Sequence, residues 1–452
     1  MKIKQNFIII LIASLLPILQ LNGQKSQPNL FLYIADDLGY NDIGYHGNPY
    51  VKTPTIDLFA SKAVNFTQMH TASAMCSPSR SMIYTGLYPH RNGCHMNHGK
   101  TFSHVKSLPV YLKELGYSVA LVEKIHIKPQ EVYPFDYILN EELENYLDSI
   151  KPPVCVIFAS HEPHGPHKNK THNPDSVIIP AKWVDAPRTR NLISGYYSDV
   201  EEVEKEFQLF VQTIKNRECG KNSVIIFTSD HGYSHFAKWT CYQAGLKVPF
   251  YVQTNGINFS ANKINQLTSF VDITPTFIEL AGGKAPSDLD GKSLLPLLNG
   301  KAKEHHRYVY GAHTNRGIIS GKAYPIRSIN DGKWKYIRNI NHTGHFQNIT
   351  TNGLAFDSIP TNQLWLEWLA HKDENPWVEH LQKRPYEELY DLENDPNEMK
   401  NLAHIKKYKK QLKVLSQELD KWMNAQNDFG MDSEMKVPLK SMKRKKNKRN
   451  MK

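Results

Sequence analysis

Four apolar runs in this chain each stop at a cluster of polar, chemistry-bearing residues, and that pattern constrains the fold more than any other feature. Asn29 to Ala35 reads as a strand buried on both faces, ended by Asp36-Asp37-Leu38-Gly39. A second strand over 117–122 runs into Lys124 and His126, a third over 153–160 into His161, and a fourth over 223–228 into Ser229-Asp230-His231-Gly232. Helical spacing lies between them. Ile56, Phe59, Ala60 and Ala63 share one face of a helix over 55–63, and further helices are expected over 81–84, 107–115 (stopped by Gly116), 200–216 and 271–280. Strands alternating with helices predict an α/β fold, a large and mostly parallel central sheet flanked by helices. Functional residues in such sheets gather beyond the carboxyl ends of the strands, where these clusters fall.

After residue 305 the pattern changes. Short strands over 307–310, 324–329 and 334–338 precede a helix over 405–425, which predicts a smaller C-terminal α+β unit with an antiparallel sheet. The expected organisation is a leader over 1–23, a catalytic α/β domain over 24–305, an α+β subdomain over 306–430 and a tail over 431–452. The leader has Lys2 and Lys4, an apolar run from Phe7 to Leu19 and small or polar residues to Gly23, the pattern of a secretory signal peptide. The run is shorter than the ~20 residues of a membrane span, so export to a periplasm or the medium is expected, without stable membrane insertion. Nine Lys and Arg and no acid lie in 436–452, so most of the net charge of +11 belongs to the tail. Such a run is expected to be disordered and solvated, though it suits a polyanion such as a sulfated glycan. Nucleic acid is not the expected partner of an exported chain.

The polar clusters suggest a metal. Asp36, Asp37 and Asp230 give three carboxylates, with His231 beside them, and a hard oxygen-rich set favours calcium or magnesium over zinc. The five cysteines, at 76, 94, 155, 219 and 241, are spaced neither as a zinc site nor as a disulfide scaffold, and no pairing follows from the sequence. Cys76 is the odd one. A thiolate among carboxylates is disfavoured without an offsetting cation, and no histidine base adjoins it.

The run Cys76-Ser77-Pro78-Ser79-Arg80, closed by Thr85-Gly86, resembles the C-x-P-S-R…T-G signature of the type I sulfatase family, within the alkaline-phosphatase-like superfamily. The resemblance extends over nearly the whole mature chain. It includes Asp36-Asp37, Pro89-His90-Arg91-Asn92-Gly93, Lys124-Ile125-His126, His161-Glu162-Pro163-His164, Asp230-His231-Gly232, Lys238, Asp272-Ile273-Thr274-Pro275-Thr276 and Glu388-Leu389-Tyr390-Asp391-Leu392. It implies that Cys76 is converted to formylglycine (3-oxoalanine) by a formylglycine-generating or anaerobic sulfatase-maturing enzyme. The hydrated aldehyde then serves as a nucleophile on one calcium ion, one hydroxyl attacking sulfur and the other driving sulfate release. By the same resemblance Asp36, Asp37, Asp230 and His231, with modified Cys76, are the calcium ligands. Arg80 steadies the hydrate, Lys124 and Lys238 hold the sulfate, His126 takes a proton, and His164 protonates the leaving oxygen. Many relatives carry Asn where His231 stands, Gly where Glu123 stands, and Glu and Arg where Gln243 and Lys247 stand.

Tyr324-Pro325-Ile326-Arg327-Ser328 and Lys335-Tyr336-Ile337-Arg338-Asn339 look closest to the branch of heparan N-sulfatases and bacterial polysaccharide sulfatases. That branch implies a sulfated polysaccharide or its oligosaccharides as substrate, either a glycosaminoglycan or an algal glycan such as ulvan or carrageenan. His161, His313, Arg316 and Arg327 are the candidate sugar contacts, since arginine suits bidentate recognition of a carboxylate. The rival readings are a phosphatase or phosphodiesterase of the same superfamily, and an inactive protein that binds sulfated glycans.

Overall fold

The computed structural model describes residues 27–167, 171–233, 236–351 and 360–439. The expected signal peptide over 1–23 and the basic stretch from residue 440 lie outside the described residues. In chain order the strands are β1 (Asn29–Ala35), β2 (Val64–Phe66), β3 (Met69–His70), β4 (Ser118–Glu123), β5 (Asp136–Ile138), β6 (Val154–Ala159) and β7 (Ser223–Ser229). They continue as β8 (Phe250–Asn255), β9 (Lys263–Ile264), β10 (Thr268–Ser269), β11 (Val309–His313), β12 (Ile326–Asn330), β13 (Trp334–Asn339) and β14 (Glu387–Asp391).

Eight strands form the large sheet in the order β5-β4-β6-β1-β7-β8-β2-β9. The first five are mutually parallel, as the alternation predicts. β8 runs antiparallel to β7, and β2 antiparallel to β8, so the sheet is mixed at that edge. β8 was not among the strands expected from the sequence. Its apolar start, Phe250-Tyr251-Val252, is only three residues long before it passes into the polar Gln253-Thr254-Asn255.

Side-chain alternation along β1 explains its burial on both faces. Leu30, Leu32 and Ile34 enter one core cluster and Phe31, Tyr33 and Ala35 the other. Tyr33 stacks between Phe158 of β6 and Phe227 of β7, at ring distances of 5.2 and 5.6 Å, which fixes the register of the three central strands. The helix Pro187–Lys215 covers this second face. It begins 13 residues before the expected 200. Gly195 and the serines around it read as breakers, yet Ile193, Tyr196, Tyr197 and Val200 keep helical spacing and are buried, and Pro187 starts the helix. The helices Cys76–Thr85, Leu108–Glu114 and Ile273–Leu280 cover the first face.

The smaller sheet is antiparallel, β11-β12-β13-β14, with the helix Lys409–Ala425 packed on it. Its Ala312, Ile329, Tyr336 and Leu389 join the same apolar cluster as one face of the large sheet, so the two sheets share a core. The start of the expected tail is built into this part. Met431–Met435 is a helical turn, and buried Glu434 accepts the backbone N–H groups of Asn315 (2.9 Å) and Arg316 (2.7 Å).

Candidate active site

β4, β6, β1 and β7 lie side by side, so their carboxyl ends deliver Lys124, His161, Asp36-Asp37 and Asp230-His231 to one edge of the sheet. Backbone bonds lock the loops there: Asp230 N–H donates to Ala35 O (2.9 Å) and Asp36 N–H to Glu162 O (2.9 Å). Cys76 opens its helix at this edge, which turns the positive end of the helix dipole toward the carboxylates.

The helix Cys76–Thr85 is buried throughout, polar residues included, and the motif explains how. Ser79 Oγ donates to Asp230 O (2.5 Å) and accepts from Thr71 (2.9 Å), clamping the nucleophile helix to the β7 loop. Arg80, one turn beyond Cys76, donates from Nε to Asp230 Oδ2 (3.0 Å) and places Nη2 3.5 Å from Asp36 Oδ1. Thr85 Oγ1 returns to Ser81 O (2.6 Å), and Gly86, at φ 67°, ends the helix in the left-handed region that glycine adopts without strain.

Around the Cys76 Sγ lie Lys238 Nζ (3.3 Å), His231 Nε2 (3.4 Å), Asp36 Oδ1 (3.5 Å) and Asp37 Oδ1 (3.9 Å). Oxygens of Asp36, Asp37 and Asp230 lie within 4.8 Å of one another, and all three carboxylates are fully buried. Lys124 pairs with Asp36, and Lys238 with both oxygens of Asp37 (2.9 and 3.0 Å). Burial pushes the Asp37 and Asp230 carboxyls upward. Lys238 and His231 more than offset this for Asp37, as do His231 and Arg80 for Asp230, so both stay ionised. Burial likewise opposes charge on Arg80 and Lys238, and their carboxylate partners hold both above their ordinary values.

Two observations bear on a metal. The oxygen-rich set suits a hard cation such as calcium. In addition, Arg80 Nη1 and Nη2 are buried without a hydrogen-bond partner, as a place for an anion beside Cys76 requires.

A cavity of about 530 Å³ opens above this floor, with Asp36, Cys76, Lys124, His126, His164 and Lys238 all on its wall. His164 hydrogen-bonds Gly165 O through Nδ1 (2.6 Å), leaving Nε2 toward Asp37 Oδ2 (3.7 Å). His126 Nε2 shares a hydrogen bond with His98 Nδ1 (2.7 Å), and its Nδ1 has no partner. Burial, then Lys124 and His98, push His126 down to about 2, so the ring is neutral. His161 stands at the rim, mostly exposed, 3.8 Å from Glu123.

Among the described residues, nine non-glycine residues have left-handed backbone, and five of them line or adjoin this cavity: Asp37, His98, Glu123, His126 and Trp239. Strained backbone gathers at functional sites. Glu123 sits at φ 68°, in the left-handed region that glycine adopts without strain.

The structure does not bring His313, Arg316 or Arg327 to the cavity wall. Arg327 is wholly buried in an ion pair with Asp428, and its Nη1 donates to His313 O (2.7 Å). His313 is buried against Asn315 and Phe346. Arg316 donates to Met435 O (3.1 Å). Arg327 is thus a scaffold arginine, since its guanidinium is already matched by a carboxylate. Conversely, the wall includes His98, Glu162, Asp199 and Trp239, which the sequence did not single out. Trp239, next to Lys238, and Glu162, between His161 and His164, carried a usable signal in their neighbours. Cys94, Cys155, Cys219 and Cys241 are buried free thiols.

Comparison with known proteins gives a consistent picture. Residues 28–141 and 128–283 match the family model described as Sulfatase, and residues 230–350 match one described as N-sulphoglucosamine sulphohydrolase, C-terminal. An ulvan-active sulfatase of Formosa agariphila is 36% identical over 92% of this chain and 84% of its own length. Human N-sulphoglucosamine sulphohydrolase is 26% identical over 87% of this chain and 89% of its own. A solved structure of a protein with its substrate D-glucosamine-2-N,6-O-disulfate superposes with a TM-score of 0.68, at 18% identity, over 90% of this chain and 99% of that one.

Proposed function

This chain belongs to the sulfatase family, and from that premise we propose that it is an exported, calcium-dependent enzyme acting on a sulfated glycan through a formylglycine made from Cys76. It is a sulfuric ester hydrolase of the polysaccharide and glycosaminoglycan type. The relative that acts on ulvan favours an algal polysaccharide or its oligosaccharides as the substrate. The leader-like sequence over 1–23 supports export to the periplasm or the medium.

The observation that carries the reading is the setting of Cys76, which opens a buried helix on the wall of the cavity with Lys238, His231, Asp36 and Asp37 around its sulfur. The oxidised residue would supply a gem-diol nucleophile, and Asp36, Asp37, Asp230 and His231 would hold a calcium ion that supplies Lewis acidity.

The remaining roles fall to side chains on the page. The Nη groups of Arg80, which make no hydrogen bond among the described residues, hold negative charge beside residue 76. Lys124, paired with Asp36, and Lys238, paired with Asp37, take the sulfate oxygens. Neutral His126 accepts a proton, and His164, oriented by Gly165 O, presents Nε2 to the leaving sugar oxygen. Such acid–base assistance is typically worth ~10²- to 10⁴-fold.

Mass spectrometry of the Cys76 peptide, after co-expression with a maturation enzyme, tests the proposal. The expected mass is that of the aldehyde or its hydrate, and sulfate release by this protein should fall with a chelator and return with calcium. An intact thiol in protein that still releases sulfate, or a Cys76→Ala protein with turnover near wild type, sinks the assignment.

A further inference from the structure

Arg384 presents a buried cation with nothing to bind. It follows the helix Trp377–Gln382, is 2% exposed, and has no hydrogen-bond partner at Nε, Nη1 or Nη2 among the described residues. Its guanidinium lies over the Phe346 ring at 4.4 Å, with Tyr242 and Tyr324 each at 5.8 Å. Aromatic faces hold the fork in place but satisfy none of its N–H donors. The acid that faces this region, Glu388, has its oxygens engaged elsewhere, by Tyr242 (2.9 Å), Tyr390 (2.5 Å) and Asn339 (2.7 Å). A buried guanidinium left in this state is among the costliest polar groups a fold can carry.

Its position suggests why it is kept. Arg384 lines a narrow crevice with Asn348, Thr350 and Thr351, and the crevice shares Lys238 and Trp239 with the catalytic cavity. Trp239 Nε1 is also buried and without a partner. Two kinds of unmet donor therefore lie on the route leading off the sulfate-holding lysine. The free space in the crevice is about 10 Å³, no more than a single water needs, so a ligand group held in the main cavity reaches Arg384 only when the lining side chains move apart. Trp239, on the wall the two spaces share, has its backbone in the left-handed region at φ 64°.

The geometry points to Arg384 as a second anion subsite, taking a carboxylate or a further sulfate of the same glycan whose scissile sulfate sits over Cys76. The inference rests on the sulfated-glycan reading and deepens it. The substrate is a glycan with at least two anionic groups, the second read by a planar fork that favours bidentate oxyanions. It also moves the expected anion-reading arginine from Arg327, which is spent on Asp428, to Arg384.

The test is equilibrium binding to full-length Cys76→Ala protein, where no turnover intervenes, with and without Arg384→Gln. The probes are a sulfated, uronate-bearing tetrasaccharide, its carboxyl-reduced form, and a partly desulfated form with one sulfate per disaccharide. One of the two modifications should weaken binding about 10- to 100-fold in the Cys76→Ala protein and have no effect once Arg384 is glutamine. Which modification does so identifies the anion. The melting temperature of Arg384→Gln should be no lower than that of its parent, because the substitution removes an unmatched buried charge.

A loss of the same size in both proteins, no binding by any probe, or a clear drop in melting temperature overturns the inference. The last two outcomes would leave a crevice that holds only water, or a structural arginine. Failure of the sulfatase reading shows separately, as wild-type protein with an intact Cys76 thiol and no sulfate release from any probe.

Discussion

Replacing Arg327 by methionine separates a scaffold arginine from a substrate contact. The Arg327–Asp428 pair is buried on both sides, and it ties β12 to the segment before Met431–Met435. Asp428 also accepts Gly430 N–H (3.0 Å) and lies 3.5 Å from His90 Nε2, but Arg327 is its one full cation. Burial pushes the Asp428 carboxyl up, and Arg327 more than reverses this, holding it below its ordinary value. Removing one member of such a pair strands the other charge and costs about 3–5 kcal/mol. For 452 residues unfolding as one unit, the entropy of unfolding is about 0.9 kcal/mol/K, so the melting temperature should fall by about 3–6 °C. The loss should depend on pH. Without Arg327, burial, the largest influence on Asp428, outweighs His90 and the Gly430 N–H, and its folded pKa rises above the unfolded value near 4. The folded variant then binds more protons than the unfolded chain, so its deficit is largest at pH 7 and shrinks as pH falls toward 4. Scanning calorimetry of both proteins at pH 7 and pH 5 reads this, and Arg327→Met/Asp428→Leu should recover part of the loss. An unchanged melting temperature with a raised KM for a glycan would refute the reasoning and return Arg327 to the substrate.

Two further outcomes are expected. Glu123 has left-handed backbone but its Oε1 accepts Asn140 N–H (2.7 Å), so Glu123→Gly exchanges a hydrogen bond for relief of strain, whereas Glu123→Ala loses the bond and keeps the strain. The alanine protein should be less stable than the glycine protein by about 1 kcal/mol in urea unfolding, and the reverse order would contradict the assigned conformation. His70 and His313 are fully buried, and burial, reinforced by Lys247 for His70 and opposed by the Asn315 hydrogen bond for His313, pushes each down to about 3. A lowered histidine contributes stability that is complete above pH 6.5 and drains as pH falls, by up to about 1.4 kcal/mol per unit for each ring. Urea midpoints should therefore drop between pH 7 and pH 5, and His70→Asn should flatten that slope; an unchanged slope would show that the ring does not titrate.

The chemistry-bearing part of the site was legible because it is encoded locally. Asp36-Asp37 and Asp230-His231 each follow a strand whose apolar run announces it, and Cys76 to Gly86 is one continuous helix with its own stop. The strand order that makes these loops neighbours is not local, but parallel alternation restricts it enough that all four central strands must end on one side. Legibility fails where a residue's meaning depends on a distant partner. Arg327 and Arg384 are both arginines beside apolar residues, and nothing within a few positions distinguishes them. What separates them is that Asp428, 101 positions after Arg327, closes on one guanidinium, while the other meets only Phe346, Tyr242 and Tyr324. An arginine already matched by a buried carboxylate has no free donors to offer a ligand, and one held only by aromatic faces keeps all of them. The capacity to bind an anion is thus set by long-range closure of the chain, and the arginine left unmatched by that closure is the one that adjoins the catalytic lysine.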